Sequence, residues 1–213
     1  MSAAEGPGAV ERVLPVSRET RQRLETYVAL IRRWQPAQNL VSPQTLDTLW
    51  TRHIADCAQL VALFPDDLRW VDLGSGAGLP GLVTAILLAD RPGAKVHLVE
   101  SNQRKCAFLR AAIRETGAPA VVAEGRIDSV LKQFDAPVDR ISARALASFA
   151  ALLDLSAPLL ARGVPAAFHK GADFAAERAE ASQSWTLDLV EHQSMIDPRG
   201  LVVEIRRAVR RDV

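Results

Sequence analysis

The run Val71-Asp72-Leu73-Gly74-Ser75-Gly76-Ala77-Gly78-Leu79-Pro80-Gly81 reads as a buried strand that ends in a glycine-rich turn and opens straight into a helix. Trp70 and Val71 begin the apolar strand. Alternate glycines let the backbone bend and let a ligand lie against bare peptide groups. Pro80 suits the first turn of a helix, where its missing N–H costs nothing. A turn of this kind cradles a nucleotide-like cofactor.

The spacing discriminates between cofactors. A dinucleotide fingerprint runs Gly-x-Gly-x-x-Gly, with pyrophosphate on the helix N-terminus. Here the glycines run Gly-x-Gly-x-Gly, Leu79 stands where the third dinucleotide glycine belongs, and Pro80 removes a donor that pyrophosphate needs. The pattern favours a nucleoside without phosphates, such as S-adenosylmethionine, over a dinucleotide in an oxidoreductase. The next strand, Val96-His97-Leu98-Val99, ends in Glu100. A carboxylate at that tip can accept both ribose hydroxyls. Alone, the glycines are a tight turn and Glu100 a solvated strand end. Their strand–turn–helix–strand order favours the cofactor.

Working outward, the pattern alternates strand and helix. It predicts strands at 70–73, 96–100, 119–123, 138–143, 164–168, 185–191 and 201–207, and helices at 80–90, 102–116, 127–133, 148–161 and 173–182. Gly117 caps the second of these helices. Such alternation predicts an α/β fold of Rossmann-like type, and with a turn suited to S-adenosylmethionine the expected fold is that of the Rossmann-like S-adenosylmethionine-dependent methyltransferases. Its seven-stranded sheet is mostly parallel, helices cover both faces, and ligands sit beyond the C-terminal strand ends. The Asp197-Pro198-Arg199-Gly200 turn predicts a hairpin and an antiparallel last strand. Upstream, one helix is expected from about Glu19 to Trp34, ended by Pro36. A second starts at Ser42-Pro43 and carries Leu46, Leu49, Trp50, His53, Cys57 and Leu60 on one face. The expected organisation is a disordered tail over 1–16 and a single domain over 17–213, with 17–65 a helical cap and 66–213 the cofactor-binding core.

The 213 residues suffice for that domain and a short extension. The apolar stretches near 82–89 and 150–160 are too short or too interrupted to cross a bilayer, and the first residues lack the pattern of a signal peptide. Cys57 and Cys106 read as small core hydrophobes in a reducing, cytoplasmic compartment. The four histidines are scattered, so no metal site is expected. A net charge of +1 does not announce a nucleic-acid binder. The basic residues are nearly all arginine, however, which leaves room for a local basic cleft.

Several polar residues need an explanation. His53 sits on an apolar helix stripe with Asp56 adjacent, and the plain reading is a satisfied core histidine. Asn39 reads as a turn residue. Asp128, beyond the third strand, either accepts the adenine amino group of a cofactor or faces its helix dipole. Arg144 ends the fourth strand, Lys170 the fifth, and Arg199 lies in the final hairpin. Singly each is a surface charge. Their shared placement beyond strand ends suits a polyanion.

Asn39-Leu40, His53-Ile54-Ala55-Asp56, the glycine turn with Leu79-Pro80-Gly81, Phe108-Leu109-Arg110, Arg126, Arg144-Ala145 and Lys170-Gly171 occur in that order. From about Leu24 to Arg207 the chain resembles the glucose-inhibited division protein B family, the 16S ribosomal RNA guanine-N7 methyltransferases. The resemblance implies S-adenosylmethionine held at Gly74, near Leu79, and at Ile127, Asp128 and Arg144, beside the Gly76, Gly78 and Glu100 read from the turn and strand tip themselves. It implies a substrate cleft lined by Asn39, His53, Asp56, Arg126, Lys170 and Arg199. Guanine N7 carries a lone pair and no proton at neutral pH, so no general base is expected, and Arg144 and Lys170 are expected to position the base through O6 or phosphate rather than N7. The expected partner is 16S rRNA in the small ribosomal subunit, modified in its decoding-region loop by a monomer that needs no membrane. The sequence departs from the family at Cys57, usually serine, and at Asp128, usually glutamate. The rival readings are a same-fold methyltransferase of another RNA or a small molecule, and a non-catalytic RNA-binding ribosome-assembly factor.

Overall fold

The computed structural model describes residues 5–211. Seven strands form one sheet in the order β3-β2-β1-β4-β5-β7-β6. They are β1 (Arg69–Leu73), β2 (Lys95–Glu100), β3 (Ala120–Glu124), β4 (Arg140–Arg144), β5 (Ala166–Lys170), β6 (Trp185–Gln193) and β7 (Leu201–Arg210). β1 to β5 pair in parallel, whereas β7 runs antiparallel to both β5 and β6. The order reverses at β1, whose neighbours are β2 and β4. Loops leaving β1 and β4 therefore diverge to opposite faces and open a crevice at their C-terminal ends.

Eight α-helices accompany the sheet among the described residues: α1 (Gly8–Glu11), α2 (Arg18–Gln38), α3 (Asp56–Leu63), α4 (Gly81–Leu87), α5 (Gln103–Thr116), α6 (Ile127–Lys132), α7 (Phe149–Leu160) and α8 (Phe174–Ser184). Two hydrophobic clusters result. One joins Leu24, Tyr27, Ile31, Leu49, Ile54 and Leu60 to Leu82, Ile86, Phe108 and Leu109, so the N-terminal helices share a core with α4 and α5. The other joins Phe149, Leu153 and Phe174 to Val71, Ile141 and Phe168.

Four expectations are corrected. The stretch expected as a disordered tail over 1–16 carries α1, and Ala9 and Val10 are fully buried. Two apolar side chains in one short turn pack into the first cluster, and Glu5 accepts the Trp50 N–H at 3.0 Å. Residues 1–4 of that expected tail lie outside the described residues. The first long helix does not stop before Pro36 but runs through it to Gln38. Proline is tolerated so near a helix end because little helix remains to be broken. Asn39, at φ 44°, closes the helix in the left-handed conformation, and its N–H donates to Gln35 O.

The helix expected from Ser42 is three segments of different pitch: a 3₁₀ turn at Pro43–Thr48, a π-helical turn at Trp50–Ala55, and α3. Of the predicted apolar face, Leu49, Trp50, Cys57 and Leu60 are buried, while Leu46 and His53 are half-buried. Helix α4 begins at Gly81, with Pro80 as its N-cap after a cis Leu79–Pro80 bond, so Pro80 precedes the first turn rather than occupying it. Among the described residues no helix is long and apolar enough to cross a membrane.

Candidate active site

The glycine turn follows β1 at the crevice. Gly74, Gly76 and Gly78 all have positive φ, as the reading of a tight turn requires. Their bareness serves different ends. A Cβ on Gly76 would find no atom closer than 3.8 Å, so this peptide faces open space. A Cβ on Gly78 would lie 2.7 Å from Leu82 Cβ and 3.1 Å from Tyr27 Oη, so this glycine permits helix packing. On Gly74 it would meet Leu146 Cδ1 at 2.5 Å, a side chain from the loop after β4. Of the three, only Gly76 has open space where a side chain would stand, whereas Gly74 and Gly78 leave room for protein side chains. Gly81 adds a packing contact that spacing alone did not signal: its missing Cβ lets α4 approach Asp72 and Leu98. Tyr27 Oη donates to Ala77 O at 2.6 Å, which ties α2 to the turn.

Glu100 ends β2 beside the turn. Its Oε2 accepts the Gly76 N–H at 2.8 Å, and its Oε1 accepts the Asn102 N–H at 2.8 Å. Each carboxylate oxygen has lone-pair capacity for a further donor. Leu79 is half-buried against the first cluster and Ile127 against the second. Asp128 opens α6, and its exposed side chain lies 3.5 Å from that of Arg126. An open peptide at Gly76, a carboxylate set for two hydroxyls and an acid beyond β3 fit an adenosine-bearing donor.

Across the crevice a cleft of about 400 Å³ opens at the tips of β4 and β5. Its walls include Asp56, Arg144, Lys170 and Arg199, four of the predicted residues. Arg144 reaches under the N-terminal segments. Its Nη2 donates to Arg52 O at 3.2 Å and meets His53 Nδ1 at 2.7 Å, while Nη1 donates to Cys57 Sγ at 3.3 Å. The backbone carbonyl and the imidazole that meet this guanidinium both come from the π-helical turn at Trp50–Ala55. Asp56 Oδ2 lies 3.6 Å from Arg144 Nη1, and its Oδ1 accepts from Gln59 Nε2 at 3.0 Å.

These contacts fix the His53 tautomer. A guanidinium only donates, so Nδ1 accepts, and Nε2–H donates to Thr45 Oγ1 at 2.8 Å. Burial, then the charges of Arg144 and Arg52, push the His53 pKa down from 6.5 to about 4. Burial raises the Cys57 thiol to about 12. His169 on β5 meets Asp56 O through Nε2 at 3.0 Å, and burial lowers its pKa too. Lys170 pairs with Glu177 of α8 and donates to Ala147 O at 3.4 Å. Glu177 also accepts the Phe149 N–H at 2.6 Å. Asp72, fully buried under the turn, accepts from Ser142 Oγ at 2.8 Å, and burial raises its pKa from 3.8 to about 6.

The remaining predicted residues stand apart. Asn39 is a helix cap, Arg126 is exposed beside α6, and neither lines the cleft. His53 stands behind Arg144 rather than in the cleft wall. Gln59, Glu177 and Asp197 were not anticipated. Gln59 Oε1 accepts the Met195 N–H at 2.6 Å, and Asp197 pairs with Arg52 at 3.4 Å, so the final hairpin is pinned to the N-terminal helices. A single Gln within an apolar helix, or a single acid in a surface segment, carries no sequence signal for such contacts.

Comparison with known proteins agrees with this architecture. The GidB family model, described as rRNA small subunit methyltransferase G, matches residues 20–200. A ribosomal RNA small subunit methyltransferase G of Bradyrhizobium sp. (strain BTAi1) is 50% identical over 191 residues, covering 90% of this chain and 86% of that protein. Its counterpart in Rhizobium meliloti is 48% identical over 201 residues, covering 93% and 94%. Among solved structures, the O-methyltransferase TomG of Streptomyces achromogenes, in complex with SAM, shares the fold with a TM-score of 0.57 at 13% identity, over 95% of this chain and 97% of that one. Taken with the glycine turn, the Glu100 tip and the mixed sheet, these matches show that the chain belongs to the GidB family of rRNA small subunit methyltransferase G proteins.

Proposed function

We propose that this protein transfers a methyl group from S-adenosylmethionine to guanine N7 in the decoding-region loop of 16S rRNA. The observation that carries the reading is the adjacency of two features at one switch point. The Gly76–Glu100 pair suits an adenosine, and the Arg144, Asp56 and Lys170 cleft beside it suits an RNA base. The names of relatives about half identical to the chain support the small-subunit RNA. We read 17–213, with α1 packed against it, as one methyltransferase domain with 17–65 as its helical cap, acting as a cytoplasmic monomer on the small subunit.

In this reading Glu100 accepts the ribose hydroxyls, Asp128 the adenine amino group, and the peptide at Gly76 lies against the nucleoside. Gly74, Gly78, Leu79 and Ile127 shape the wall around them. When bound, the donor supplies an electrophilic methyl on a sulfonium, which leaves as the N7–carbon bond forms. Guanine N7 carries an in-plane lone pair and no proton at neutral pH, so no general base is needed. His53 agrees with that: both ring nitrogens are engaged and it stays neutral. Arg144 and Lys170 hold the base and its phosphates in line for attack, and catalysis comes from that placement. The base must leave its stack to reach the cleft. Arg126, exposed beside α6, and Arg199, exposed in the cleft wall, contact the RNA backbone.

The test is transfer of labelled methyl to purified small-subunit particles, followed by primer extension after cleavage at methylated guanine. Label at one guanine N7 is expected. Label in a small molecule or another RNA supports the same-fold rival, and binding to particles without transfer supports the assembly factor.

A further inference from the structure

Resting on that reading, we infer that Asp56 and Arg144 together read the Watson–Crick edge of the target guanine, Arg144 at O6 and Asp56 at N1–H. Arg144 Nη2 spends both of its N–H groups on Arg52 O and His53 Nδ1. Nη1 spends one on Cys57 Sγ and has one left, with Asp56 Oδ2 3.6 Å away, while Nε–H makes no hydrogen bond among the described residues. That distance is too long for a hydrogen bond. Asp56 Oδ1 is taken by Gln59. Both side chains line the cleft and retain some exposure, 18% for Arg144 and 17% for Asp56. The cleft thus presents one donor beside one acceptor.

Guanine offers the complement: an acceptor at O6 next to a donor at N1. Adenine reverses the order, with a donor at N6 and a bare lone pair at N1. Its lone pair would face the carboxylate and its amine the guanidinium, leaving both protein groups unpaired. The other acids of the cleft suit this task less well. Glu177 is committed to Lys170 and the Phe149 N–H, and Asp197 to Arg52 and the Arg199 N–H. Asp173 is exposed at the N-terminus of α8.

The same arrangement protects the reaction. Arginine commonly grips guanine through O6 and N7 together, which would occupy the nucleophile. With Nη2 held by the π-helical turn, Nη1 has a single hydrogen to give, and the Nε–H, on the opposite edge of the guanidinium, cannot join it in a fork on one base. O6 lies between N1 and N7, so a pair of contacts on O6 and N1 leaves N7 free for the methyl group.

The experiment uses the full-length protein and small-subunit particles reconstituted with guanine or N1-methylguanine at the target position. It compares the wild type with Asp56→Ala and Asp56→Asn. The asparagine variant keeps a side-chain oxygen for Gln59 and so guards against loss of folding. Blocking N1 should lower wild-type kcat/KM by about 10- to 100-fold, the worth of one hydrogen bond to a charged group. In both variants guanine transfer should already be reduced, and the extra penalty for N1-methylguanine should shrink to about threefold or less. A purely structural role for Asp56 would lower both substrates alike and leave the wild-type penalty intact in the variants, and that result overturns the inference. Absence of any N7 transfer by the wild type overturns the functional reading, and this inference with it.

Discussion

Arg144 Nη2 meets His53 Nδ1 at 2.7 Å, joining the tip of β4 to the π-helical turn of the cap. The contact needs a neutral imidazole, and the site keeps it neutral. One guanidinium therefore serves two purposes, docking the cap and facing the cleft.

Arg144→Lys should lower methyl transfer by about 100-fold, the scale of loss for a misplaced positioning group. An ammonium lacks the planar fork that meets Arg52 O, His53 and the cleft at once. Arg144→Ala should be at least as severe. Steady-state transfer to small-subunit particles checks both, and near-normal turnover by either removes Arg144 from the site.

Acidification should act on two buried groups with opposite sign. His53 falls from 6.5 to about 4 on folding, so it contributes stability that is present above pH 6.5 and lost towards pH 4, at most about 3 kcal/mol. Asp72 rises from 3.8 to about 6, so its contribution is full below pH 3.8 and lost as pH rises through 6, about 3 kcal/mol. Relative to wild type, His53→Gln should gain stability as pH falls from 6.5 to 4. Asp72→Asn should lose relative stability over the same range. Urea unfolding at several pH values reads both slopes, and parallel profiles for all three proteins contradict the assignment.

The glycines should separate by function. Gly78→Ala and Gly81→Ala drive a methyl into Leu82 Cβ, and into Asp72 and Leu98, and should each cost about 1–3 kcal/mol of stability. Gly76→Ala meets no atom within 3.4 Å, so only its left-handed backbone is penalised, by about 1 kcal/mol. It should instead weaken binding of S-adenosylmethionine. Gly74→Val should do the same, because its side chain competes with Leu146 for the crevice. Melting temperatures and calorimetry with the donor together distinguish the two groups. Unchanged donor affinity in both Gly76→Ala and Gly74→Val refutes the assignment of the turn.

Glu177→Ala should destabilise the protein by about 2–4 kcal/mol, because it strands a nearly buried ammonium. Lys170 keeps only 8% side-chain exposure, and the same carboxylate caps the Phe149 N–H. Adding Lys170→Met should recover part of the loss in urea midpoint. No recovery would mean that the cap on α7, and not the ion pair, dominates.

The sheet was legible in the sequence because its signals are local. Apolar runs ended by Gly74, Glu100 and Arg144 mark the strand tips, and Gly117 marks a helix end. The pitch of the second N-terminal helix was not legible. Leu49, Trp50, Cys57 and Leu60 keep an apolar face through a 3₁₀, π and α path, so periodicity alone reads a single helix. The pairing of Arg144 with His53 and of Lys170 with Glu177 links residues far apart in sequence, and no local pattern encodes either. The glycine turn was read as a cradle throughout, yet two of its three glycines face protein side chains, because a small residue serves close packing as well as ligand contact.

The most direct test of the account is a crystal structure with S-adenosylhomocysteine bound. The account predicts adenosine between Glu100 and Asp128, the nucleoside against the Gly76 peptide, and sulfur turned towards the cleft of Arg144 and Asp56. A ligand lodged elsewhere, or a sulfur facing away from that cleft, would contradict it.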